Sequence, residues 1–94
     1  MTSYEAVQRL KGEAVADYIE RLRDLLRARK ADEQAEFELK RHLEETVRVL
    51  AMSKAPASVR NEMHRHLTTV CHRLGTLRGQ VHIIESLLVT ALNS

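Results

Sequence analysis

Residues 57–92 read ASVRNEMHRHLTTVCHRLGTLRGQVHIIESLLVTAL, and the spacing of their apolar side chains decides the fold. Met63, Leu67, Val70, Leu74, Leu77, Val81, Ile84, Leu88 and Ala91 follow one another at alternating steps of four and three. An α-helix turns once every 3.6 residues, so these steps keep every member on one face. Held over several heptads, the pattern is the seam of a coiled coil or helical bundle. Leu67, Leu74, Val81 and Leu88 take the a positions; Met63, Val70, Leu77, Ile84 and Ala91 take d. The spacing predicts one helix over 57–92, about 50 Å long at 1.5 Å per residue.

Gly75 and Gly79 lie off this seam, four residues apart. Each costs about 1 kcal/mol against Ala in a helix interior. With Thr68, Thr69, His72, Thr76 and Ser86 they form a strip of small and polar residues. That strip is either tolerated surface or a groove where another backbone approaches closely.

Toward the N-terminus the seam helix is bounded by Ser53-Lys54-Ala55-Pro56-Ala57-Ser58. Pro56 suits a first turn but not a helix interior, and Ser58 is a candidate N-cap. Before this break, Val15, Tyr18, Ile19, Leu22, Leu25 and Leu26 make an apolar stripe, which returns at Leu39, Leu43, Val47 and Leu50. Between them stands a polar waist, Arg27-Ala28-Arg29-Lys30-Ala31-Asp32-Glu33-Gln34. No Gly or Pro marks it, and the heptad phase of Val15 and Leu22 arrives correctly at Leu43 and Leu50. Either one long helix crosses the waist, giving a helical hairpin, or the chain turns near Lys30–Glu33 with Asp32 as a cap. A compact core has little use for a polar run in its seam, which favours the turn. The expectation is therefore an all-α, single domain over 1–94: a three-helix bundle with helices at 3–29, 32–54 and 57–92, Ser3 capping the first. The long helical hairpin is its alternative. In both, the long C-terminal helix is coiled-coil-like.

The composition agrees. Ninety-four residues suffice for one small domain, and three Gly and one Pro are too few for the tight turns of an all-β fold. Residues 1–55 hold eleven basic and eleven acidic side chains, whereas 56–94 hold Arg60, Arg65, Arg73 and Arg78 against Glu62 and Glu85. Four of the five histidines, His64, His66, His72 and His82, share that segment. The arginines are thus candidate phosphate contacts, or else an ordinary solvated face. Cys71 is the single cysteine, so no internal disulfide is available. The N-terminal stretch has no apolar signal region, and Val81–Leu92 is too short and too interrupted to span a bilayer. A cytoplasmic protein without a membrane partner is expected.

Little in the chain suggests chemistry. Glu38/His42 and Glu62/His66 have the i,i+4 spacing that can share a divalent ion, but each needs further ligands. Cys71 has no base placed to activate it, since His72 points about 100° away. There is no Gly-rich phosphate loop, CxxC or HExxH. No metal, cofactor or catalytic residue is expected.

Three short stretches resemble known families. Leu25-Leu26-Arg27-Ala28-Arg29 with Lys40 is similar to the Arg-to-Lys spacing on the first helix of small all-helical chorismate mutases. Met52 and Ser53 stand where that family has an Arg-Glu pair. Gly12 to Leu22 resembles the homology-region helix of retroelement capsid proteins. Arg73-Leu74-Gly75-Thr76-Leu77-Arg78-Gly79-Gln80-Val81 resembles the opening helix of copper- and formaldehyde-sensing repressors, although here no second helix follows.

The functional expectation is a non-enzymatic helical interaction module: a small regulator, adaptor or inhibitor. It would pair with itself as a homo-oligomer, or with a partner protein helix, through Met63, Leu67, Val70, Leu74, Leu77, Val81, Ile84 and Leu88. The alternative is a nucleic-acid-binding regulator using Arg60, Arg65, Arg73 and Arg78. A mutase-like enzyme ranks third.

Overall fold

A computed structural model describes residues 7–93. Two long helices account for most of it: α1, Val15–Met52, and α2, Ala57–Leu92. They run antiparallel as a hairpin measuring 61 × 17 × 15 Å. Cross-helix ion pairs mark the direction, since 30, 33 and 36 on α1 meet 85, 78 and 73 on α2.

The hairpin replaces the three-helix bundle. The turn expected near Lys30–Glu33 is absent, because α1 runs unbroken through 27–34. The polar waist has a use that a compact core would not give it. Arg29, Glu33, Glu36 and Lys40 lie half-buried on the inner side of α1. Glu33 reaches Arg78 at 3.4 Å, Glu36 reaches Arg73 at 3.3 Å, and Lys30 reaches Glu85 at 3.7 Å. In a thin hairpin the charged tips reach the surface while the stems cover the seam. Val70 and Leu74, opposite this stretch, stay buried beneath them.

The helix expected over 3–29 is not one continuous element. Gly12 has φ 81°, a left-handed conformation open to glycine, and a turn at 11–12 separates the preceding residues from α1. The long helix α1 therefore begins at Val15, after this turn. The cap expected at Ser3 lies outside the described residues.

At the apex the chain closes a Schellman turn. The Ala55 N–H donates to the Leu50 carbonyl at 3.1 Å, and the Ser53 N–H donates to Val49 at 2.9 Å. Lys54 occupies the left-handed position with φ 57°, where glycine is usual. Pro56 then starts α2, its carbonyl accepting from Val59 and Arg60 at 3.1 and 3.2 Å. Pro56 itself is the N-cap, and Ser58 lies within the helix.

All nine seam positions of α2 face α1. Val70, Leu74, Val81, Ile84 and Ala91 are buried; Met63, Leu67, Leu77 and Leu88 are half-buried. The core is concentrated at the open end, where Tyr18, Leu22, Ile84 and Ala91 join Val7, with Ile19, Leu25, Leu26, Leu87 and Leu88 packed around them. Among the described residues, no helix is long and apolar enough to cross a membrane.

Candidate functional site

The open end carries a polar latch. Residues 7–13 fold back on α1, and the Tyr18 hydroxyl donates to the Val7 carbonyl at 2.8 Å. Arg21 donates to Glu13 through Nη2 at 3.1 Å and Nε at 3.2 Å, and also to the Gln8 carbonyl. The Leu10 N–H donates to Glu13 Oε1 at 3.0 Å. Arg21 lies 5.4 Å from the centre of the Tyr18 ring, a cation–π distance. The Arg21 hydrogen bond, then the Leu10 N–H, hold the Glu13 carboxyl below its ordinary value. The same pairing raises Arg21. Sequence reading missed this latch. Its visible signal was Gly12 beside Glu13, a break next to a charge.

The waist carries a groove of about 400 Å³ between the helices. Leu77 and Ala35 supply apolar lining; Arg29, Asp32, Glu36 and Arg73 supply two charges of each sign. Arg29 pairs with Asp32 at 3.3 Å. Glu36 Oε2 is shut from solvent and close to Arg73, but it has no hydrogen-bond partner. The heptad carries this face along the whole hairpin. On α1, Leu25, Ala28, Asp32, Ala35, Leu39, His42, Thr46 and Val49 recur at threes and fours. On α2, Thr76 leads one heptad on to Ile83, Gln80 to Leu87, and Arg73 back two to Val59. Leu39, Val49, Val59 and Ile83 are large apolar residues left exposed there.

The opposite side of the hairpin differs. Lys30–Glu85 and Glu33–Arg78 close it with exposed charge. Exposed Cys71 follows the Arg78 side of α2, one heptad back.

The candidate phosphate contacts do not form one cluster. Arg73 and Arg78 pair with α1, and Arg65 pairs with Glu62 at 3.4 Å on its own helix. Arg60 has no carboxylate partner among the described residues. Gly75 and Gly79 face open space, where an added Cβ would meet no atom within 4 Å. The Thr68, Thr69 and Thr76 hydroxyls donate back to the carbonyls of His64, Arg65 and His72. Of the two Glu/His pairs, Glu62 and His66 meet at 3.3 Å, while Glu38 accepts from Gln34. Among the described residues, no group of three His, Cys, Asp or Glu side chains is gathered as a metal site would need.

No family model matches this sequence, and neither a curated protein nor a solved structure matches it.

Proposed function

We propose that this chain is a non-enzymatic helical interaction module, of the kind that serves as a small regulator, adaptor or inhibitor. The observation that carries the reading is its single-layer build. Stable domains pack two layers around a core, and this hairpin is two helices abreast. Its apolar seam is already covered by α1, yet Met63, Leu67, Leu77 and Leu88 stay half-buried. Leu39, Val49, Val59 and Ile83 extend the apolar surface along one side. Recognition is helix against helix on that side.

Ion pairing of Arg65, Arg73 and Arg78 within the hairpin argues for structural roles and against a phosphate-binding cluster. Salt separates the two readings, because phosphate binding weakens steeply with salt and an apolar interface does not.

The test is site-specific photo-cross-linking from position 39 in the cells that make the protein, with position 41 on the outer face as control. Protein adducts at 39 that exceed those at 41 and persist in high salt are expected. Adducts to nucleic acid, or no adduct at either position, would overturn the reading.

A further inference from the structure

Resting on the interaction-module reading, we infer that the face running through the Leu77 groove is covered by a second copy of this chain, waist on waist, completing a four-helix bundle. Charge is the first argument. Arg29 and Arg73 with Asp32 and Glu36 give the waist equal numbers of each sign within one short stretch. A two-fold axis through the waist brings this pattern against itself, so acids can meet bases across the interface. A partner with a uniformly acidic or basic helix would instead leave half of these charges opposed by like charge.

Size is the second argument. A strip 61 Å long and 15 Å wide is on the order of 900 Å², against roughly 800 Å² per partner in a standard stable interface. A second hairpin has the same length, so it covers the strip from end to end. It also supplies the missing layer. The exposed Leu39, Val49, Val59 and Ile83 then gain apolar cover, and the small Ala28 and Ala35 allow close helix approach. The opposite face, closed by Lys30–Glu85 and Glu33–Arg78, stays in water.

The experiment uses the purified full chain. Light scattering gives its mass, and a bis-maleimide linker is applied to Ala35→Cys in a Cys71→Ser background, beside the natural protein with Cys71 alone. A dimer that cross-links through position 35 and not through Cys71 is expected. Leu39→Glu with Val49→Glu, both at exposed positions, should keep the helical circular dichroism and weaken the dimer about a hundredfold or more. A dimer that cross-links through Cys71 and not position 35 would place the interface on the other face and overturn the inference. A monomer at the highest attainable concentration would also overturn it. In that case photo-adducts at position 39 to a different protein would leave the interaction reading standing, whereas their absence would remove both.

Discussion

Lys54 shows how one residue can stand at odds with its backbone. A side chain in the left-handed region is crowded by its own carbonyl, at a cost of roughly 1–2 kcal/mol. Glycine avoids this but loses more chain entropy on folding. Lys54→Gly should therefore raise stability by about 0.5–1 kcal/mol, measured by urea unfolding. An unchanged or lower midpoint would mean that Lys54 makes a compensating contact. Glu13 poses the opposite case, a residue suited to its place only while charged. Its folded-state carboxyl titrates below the ordinary 4.5. The stability it lends is thus present above the unfolded value and lost as pH falls through the folded one. Acid should release residues 7–13 from Tyr18 and Arg21 before the helices melt, seen as a change in the Tyr18 ring signals by NMR. In Glu13→Gln that acid step should vanish, with the segment already loosened at neutral pH.

Among the elements, α2 was legible almost in full. Pro56 and the unbroken alternation of threes and fours set its limits, and helix geometry left the seam no other face. For α1 the signal was present but outweighed. The heptad phase carries from Leu22 to Leu43 across the waist, which a chain turn would have had no reason to preserve. The waist argued for a turn only on the premise of a compact core. In a hairpin the same charges become cross-helix pairs, and pairing between distant helices leaves no local trace in sequence. The latch at Glu13 was hidden for the same reason, since Arg21 and Gln8 meet only once Gly12 has turned the chain. Within α2, Gly75 and Gly79 remain an intrinsic weakness. Because an added methyl meets nothing, Gly75→Ala and Gly79→Ala should each stabilise the helix by about 1 kcal/mol. Thermal melts check this. A stabilised variant that loses its partner would reveal the strip as a contact surface.

Across the whole molecule, stability is graded along the hairpin. Leu22 and Ile84 are fully buried at the open end, whereas Met52 near the apex is 78% exposed. Leu22→Ala should cost about 3–4 kcal/mol and Leu43→Ala, half-buried nearer the apex, about 1–2. Equal losses would show a uniform core. The gradient also separates connection from cohesion. The peptide link between α1 and α2 lies at one end, and the main buried cluster that joins them lies at the other. A trypsin-like protease that nicks the chain after Lys54 would therefore cut where little else is held. The two fragments should stay associated and elute as one species, with their dissociation now dependent on dilution. The turn sets which helix finds which, and the far end keeps them together after the turn is gone.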